Sequence, residues 1–386
     1  PFTGRRNIVF HADKFIRTAR HVPLACLATG CIVMWVEWSP VPVMQSGQHA
    51  VLNRHSFRLM ALSLLLFVPL TVLGLKSAEW PIYLQLLPLF ISLFLFGMPH
   101  GGADHLLLWG MLRKDSWYRR IATLALYTLT ALAYLFFWDF NPSAAALFFL
   151  GLTIFHWGQG DRYISVQVHQ ATYLSRSKVL AALHIPSRGS IPILLPGYLG
   201  NDTYRNVIEA LVSSGGQASY QAEWVSSYPL FFLLIPLGLT ALSLLAASIC
   251  RSKEERRPLC IDSIESVALF GWFLFIPALW AIGCYFALWH SLRHTLRILS
   301  TDTTGSQLLD SKQYLKLNMR WLQLTGLMTL IALIGMWIIF ALPFSVRGIE
   351  LDWLAKALIG ISVLTLPHTV VVCCMDKIQL RESSIP

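Results

Sequence analysis

Histidines occur in four stretches of this chain that are otherwise apolar enough to lie in a bilayer. They are Gly97-Met98-Pro99-His100-Gly101-Gly102-Ala103-Asp104-His105, Phe155-His156-Trp157-Gly158-Gln159-Gly160-Asp161, Trp289-His290-Ser291-Leu292-Arg293-His294 and Leu366-Pro367-His368-Thr369. Ionisable groups at bilayer depth are costly, so each is a functional candidate by default. Neutral imidazoles converging on one point would suit a metal ion. His290 and His294 are spaced i, i+4, which puts both on one helical face. That spacing fits a shared metal, or equally a basic helix end at the membrane interface beside Arg293 and Arg297. His100 sits between Pro99 and a Gly-Gly pair, so a broken helix is expected there. Asp104 and His105 follow one turn later. A carboxylate beside a histidine orients a metal-bound ring, and a wet helix cap is the competing reading. His156 before Trp157 reads as a ligand or as an aromatic-belt turn. His368 at a proline reads first as a hydrogen-bonded packing residue. With two imidazoles from one helix and two from others, the set would be all-nitrogen, suited to Fe, Zn, Cu or Ni.

The elements that must carry these residues are membrane helices. Only 13% of the 386 residues are charged and 55% are hydrophobic, against roughly 25% charged in a soluble domain. The mean hydropathy is +0.57. An all-α, polytopic membrane protein of eight to ten helices is expected, in the cell inner (plasma) membrane. The net charge of +10 comes from short basic clusters between apolar runs, such as Arg113/Lys114/Arg119/Arg120, as positive loops do; a nucleic-acid partner is not expected. The seven cysteines form no C-x-x-C pair and read as reduced packing residues. Starting at Pro1 rather than Met, the chain is expected to be a fragment or a processed form, without a cleavable signal.

A span needs about 20 apolar residues. The expected spans are Phe57–Leu75, Ile82–Met98, Ile121–Phe140, Ala144–Trp157, Pro229–Cys250, Trp321–Phe344 and Trp353–Cys374, with a weaker one at Leu24–Trp38. Pro277 should divide Ile264–Leu299 into two helices, near Ile264–Phe275 and Leu279–Leu299. Val179–Leu199 holds Pro186, Pro192 and Pro196 with His184 and Arg188, and is expected to be irregular or broken. Arg162–Lys178 and Asn201–Glu223 are expected as polar loops. The expected division is an N-terminal extension (1–80) with one or two helices, a membrane catalytic domain (81–378) and a polar tail (379–386).

At the histidine stretches the chain resembles the Brp/Blh membrane proteins, β-carotene 15,15′-dioxygenases that supply retinal to microbial rhodopsins. The family's marks G-x-P-H-G-A-x-D, H-F-G-x-x-D, H-S-x-R-H and a late P-H stand here at Gly97–Asp104, His156–Asp161, His290–His294 and Pro367-His368. The resemblance runs from about Leu84 to Met375. It departs at Gly102, where the family usually has Ala, at Trp157, where it often has Phe, and at Arg188-Gly189, where it often shows His-Gly. The resemblance implies one ferrous iron, Fe(2+), held by His100, His156, His290 and His294. It leaves Asp104, His105, Asp161, Arg293, His368, Trp157, Trp289 and Tyr285 to support the ligands or line a substrate pocket. It implies β-carotene and O₂ as substrates, two retinals as product, and a functional link to a rhodopsin. Phe94, Phe96, Phe155, Trp157, Tyr285, Phe286 and Trp289 are then candidate walls of a tunnel for the polyene. A membrane metal or proton transporter, or a non-catalytic rhodopsin-assembly protein, is the alternative for the same residues. A di-iron desaturase would need more histidines, in H-x-x-H-H-type clusters, and no His-His pair occurs.

Overall fold

The computed structural model describes residues 69–77, 79–110, 116–198, 204, 207, 208, 211, 228–341, 345–346, 349–350 and 353–382. The span expected at Leu24–Trp38 lies outside them, as does most of Phe57–Leu75 and of the loop Asn201–Glu223. Seven of the described helices are long and apolar enough to cross a membrane. Helix is the form such segments must take in lipid, where only internal hydrogen bonds can satisfy the backbone.

The first well-described span runs from Tyr83 to Gly110. It comprises α1 (Ile82–Ser92), a π-helical turn (Leu93–Gly97), α2 (Met98–Gly102) and α3 (Asp104–Gly110). The helix break expected at Pro99 to Gly102 takes a local form: the helix is interrupted at Ala103, between α2 and α3, while the span as a whole continues to Gly110. The π-helical turn shifts the hydrogen-bond ladder just before Pro99, so the missing proline N–H falls where the pattern is already changing.

Helix α4 (Trp117–Phe140) and α5 (Pro142–Gln167) meet at Asn141. The Asn141 side chain accepts the Ala144 N–H at 3.1 Å, and Pro142 occupies the first turn, where an absent N–H costs nothing. Helix α5 extends ten residues beyond the apolar run expected at Ala144–Trp157. Arg162–Lys178 is therefore a correction, because its first part is helix and its last part is the short α6 (Tyr173–Arg176). Arg162 ties its two ends together, donating to the Leu174 carbonyl at 3.2 Å.

Val179–Leu199 is corrected too. It forms one helix, α7 (Lys178–Leu194), closed by a 3₁₀ turn at Leu195–Gly197. Hydroxyls bond to carbonyls within this proline-bearing stretch: Ser187 Oγ to His184 O at 2.8 Å and Thr240 Oγ1 to Ser187 O at 3.4 Å.

Helix α8 (Pro229–Cys250) follows, then α9 (Arg256–Phe275) and α10 (Ala278–Tyr285). The break between α9 and α10 falls at Ile276-Pro277, as the sequence predicts. A second π-helical turn (Phe286–Ser291) leads from α10 into α11 (Leu292–Thr301). Then come α12 (Thr303–Asp310), α13 (Tyr314–Ala341), a two-residue antiparallel pair (Ser345–Val346 with Ile349–Glu350) and α14 (Trp353–Glu382).

Helix α5 packs against α4, α7 and α14. At the crossing of α5 and α7 two glycines face the opposing backbone. A Cβ on Gly158 would lie 1.8 Å from the Ile185 carbonyl oxygen, and one on Gly189 would lie 1.8 Å from that of Ile154. A side chain at either position would force the helices apart. Below the crossing a buried aromatic layer gathers Trp157, Trp272, Phe273, Trp280, Tyr285 and Trp289. Outward faces are apolar, with Leu129, Phe136, Ile249, Val267, Leu315 and Trp337 exposed, as suits contact with lipid tails.

Candidate metal centre

Five imidazoles converge inside this bundle, and all five are buried. His100 comes from α2, His156 from α5, His290 from the second π-helical turn, His294 from α11 and His368 from α14. The His100 ring centroid lies 4.8 Å from His368, 5.4 Å from His294 and 5.7 Å from His290. The His156 centroid lies 4.8 Å from His368 and 4.9 Å from His290. The tightest group of possible ligand atoms among the described residues is that of His100, His156 and His368, all within 4.8 Å of one another.

The nitrogens facing this space lack partners. Nε2 of His156, His290, His294 and His368 and Nδ1 of His156 are buried without a hydrogen bond. His100 Nδ1 lies 3.1 Å from the Phe96 carbonyl, one turn back. A carbonyl only accepts, so Nδ1 carries the hydrogen and Nε2 keeps its lone pair. Buried polar atoms are seldom left unbonded. Several imidazole lone pairs sharing one dry space suit a cation of intermediate softness.

Asp104 lies behind this group. Both its carboxylate oxygens lie 2.9 Å from His368 Nδ1, and Tyr127 Oη donates to Oδ2 at 3.0 Å. His105 does not join the cluster: its Nδ1 donates to the Gly102 carbonyl at 2.8 Å and its ring packs on Trp109. Gly102 faces α13, where a Cβ would meet Thr329 Oγ1 at 2.6 Å and the Thr325 carbonyl oxygen at 3.0 Å. Glycine in place of the family's usual alanine therefore fits this chain's close approach of α13.

Asp161 lies beside the imidazoles and is bound into a buried ionic lattice. It accepts Arg188 Nε at 2.9 Å, Trp289 Nε1 at 3.0 Å and Arg293 Nη1 at 3.2 Å. Glu265 takes the other ends of both guanidinium groups, Arg188 Nη2 at 2.7 Å and Arg293 Nη2 at 2.8 Å. Arg188 Nη1 also donates to Ser266, and His184 pairs with Asp262 at 3.1 Å. The Arg293 guanidinium stacks over Trp289, 3.8 Å from its centroid, a favourable cation–π geometry. The lattice joins α5, α7, α9 and α11 and fixes the backbone that presents His290 and His294. Arg188, in place of the family's frequent His, belongs to this lattice. A second buried pair, Arg297 with Asp376 at 2.6 Å, ties α11 to α14. Glu265 and Asp262 are not among the residues that the sequence singles out, although a carboxylate in an apolar run is a signal in itself.

Aromatic rings close the apolar side of the cluster. Phe286 stacks on His290 at 5.7 Å and meets His100 edge-on at 6.0 Å. Trp157 lies 5.6 Å from His290 and 5.8 Å from Phe286, and Tyr285 packs behind Trp157 at 5.2 Å. Phe94 and Phe155, expected as tunnel walls, are exposed on the outer surface. A small cavity on the opposite side is lined by His156, Asp161, His290, Arg293, His294 and Arg297, among others.

A model of the β-carotene 15,15′-dioxygenase family matches residues 91–376. A protein of Halobacterium salinarum described as a probable β-carotene 15,15′-dioxygenase is 31% identical over 294 residues, which is 76% of this chain and 84% of the relative. No solved structure matches.

Proposed function

Because the chain belongs to the β-carotene 15,15′-dioxygenase family, we propose that it cleaves the central 15,15′ double bond of β-carotene with O₂, giving two molecules of retinal for a microbial rhodopsin in the same plasma membrane. The observation that carries this reading is the convergence of five buried imidazoles from five helical segments.

The residues fit a metal ion. Four buried Nε2 atoms have no partner, and the set offers nitrogen without thiolate, a donor chemistry that suits ferrous iron. His100, His156, His290 and His294 would hold it, with Arg293, Asp161 and Trp289 bracing the helix that carries the last two. Bound iron would supply O₂ activation, the part of the reaction that side chains cannot perform.

The protein's own share is placement and dryness. Trp157 and Phe286 present flat faces next to His290 and His100, where a polyene can be gripped by dispersion. Burial of all five rings keeps water from the reacting bond. Choosing one bond among many is a matter of register, so the aromatic walls must stop the hydrocarbon with its centre at the imidazoles.

In cells that make β-carotene, expression of the chain should bleach the orange colour and yield retinal. Orange cells with normal amounts of the protein in the membrane would overturn this reading. Chelation should abolish retinal formation by the purified protein, and Fe(II) should restore it. Metal flux into vesicles without retinal formation would instead indicate a transporter.

A further inference from the structure

We propose that His368 is itself a metal ligand, presented by Asp104 and Tyr127; this rests on the iron reading above and adds a residue to it. A late Pro-His pair reads first as a packing residue held by hydrogen bonds. Its surroundings say otherwise on three counts.

The first is position. The His368 ring is the near neighbour of both His100 and His156, at 4.8 Å centroid to centroid in each case, and 5.4 Å from His294. Two nitrogens on one ion stand at most about 4.2 Å apart, twice a metal–nitrogen bond of about 2.1 Å. The atoms of His100, His156 and His368, all within 4.8 Å of one another, need draw in by no more than roughly 0.6 Å to meet that limit. His290 lies 4.9 Å from His156 and His294 lies 5.4 Å from His100, centroid to centroid, so both adjoin this group.

The second is the tautomer. Asp104 already accepts a hydrogen bond from Tyr127 Oη, so its carboxylate is an acceptor toward His368 as well. His368 Nδ1, 2.9 Å from both oxygens, then carries the hydrogen. Nε2 is left with a lone pair. That atom is buried and has no donor within reach. A packing histidine would be expected to use both nitrogens.

The third is the arrangement behind the ring. Carboxylate, then histidine, then metal is the usual way a protein fixes a ligating imidazole and raises its basicity. Here Tyr127 on α4 and Asp104 on α3 form that support for a ring on α14. His100 has only a backbone carbonyl behind it. His156 has neither nitrogen bonded. His368 is thus more firmly oriented than His100 or His156.

The test uses the full chain in nanodiscs, metal-free and under argon, titrated with Fe(II) against a chromogenic chelator and, separately, with Co(II) followed by its visible absorption. Wild type should take up one metal ion per chain. His368→Gln should lose at least tenfold in Fe(II) affinity and change the Co(II) spectrum, while its metal-free thermal unfolding stays near wild type. In His368→Gly, free imidazole should restore affinity and spectrum. Should the His368 variants fail to fold, Asp104→Asn keeps the ring and should weaken Fe(II) about 10- to 100-fold, the usual effect of losing such a support. Wild-type affinity and spectrum in His368→Gln, with one iron in wild type, would overturn the ligand role and leave the iron reading intact. Failure of wild type to bind iron at all would overturn both.

Discussion

At the scale of the residue, angular position around a helix sorts the polar side chains of each histidine stretch. A helix turns about 100° per residue. Asp104 lies four positions after His100 and stays on its side, where it supports His368. His105 lies five positions after His100, about 140° round, and packs on Trp109 instead. His105→Gln is therefore expected to bind Fe(II) and form retinal as wild type does; a lost metal would place His105 in the centre after all. The same turn separates His156 from Asp161, which faces the ionic lattice. Asp161→Ala would leave Arg188 and Arg293 short of a counter-charge in a dry interior. Breaking such a buried pair costs about 3–5 kcal/mol, so the metal-free protein should unfold at a clearly lower temperature. An unchanged unfolding temperature would mean that water reaches the lattice. Much of this was legible in the spacings. The central place of His368 was not, because nothing in the sequence says which side of α14 faces α2 and α5.

At the scale of the element, the division at Pro277 was legible because the apolar stretch Ile264–Leu299 is too long for one span and the proline sits in its middle. The two π-helical turns were not. Each is a local change of hydrogen-bond register within a run that reads as ordinary helix, and each lies at or just before a histidine of the site, Leu93–Gly97 ahead of His100 and Phe286–Ser291 around His290. The regularity of α7 was hidden for the opposite reason: its prolines suggest a break, yet Pro186 and Pro192 both lie inside the helix. The crossing of α5 with α7 depends on Gly158 and Gly189, both facing backbone at 1.8 Å from an added Cβ. Backbone cannot step aside as a side chain can, so overpacking here should cost at least the usual 1–3 kcal/mol. Gly158→Ala and Gly189→Ala are each expected to lower the unfolding temperature and weaken Fe(II) binding together, since the helices that part carry His156 and the Asp161–Arg188 bond. Gly151→Ala, on the same α5 but with open space beyond it, should change neither. Equal stability of all three variants would show that the crossing is looser than the distances imply.

At the scale of the whole molecule, the placement of the site decides how substrate must arrive. The imidazoles lie inside a bundle whose outer faces are apolar, and β-carotene is a hydrocarbon that resides in lipid. A site so enclosed should be fed sideways from the bilayer, with Trp157 and Phe286 nearest the reacting bond. Entry from lipid makes the effective substrate concentration the mole fraction of β-carotene in the membrane, not its amount per volume of buffer. In proteoliposomes carrying a fixed ratio of β-carotene to lipid, the rate of retinal formation per protein should then hold constant as the suspension is diluted. At constant protein and lipid per volume, raising the β-carotene mole fraction should raise the rate until the site saturates. A rate that falls in proportion to dilution would mean that substrate passes through water to reach the protein. The entry would then have to lie at an aqueous end of the bundle, and the apolar outer faces would be packing surfaces alone.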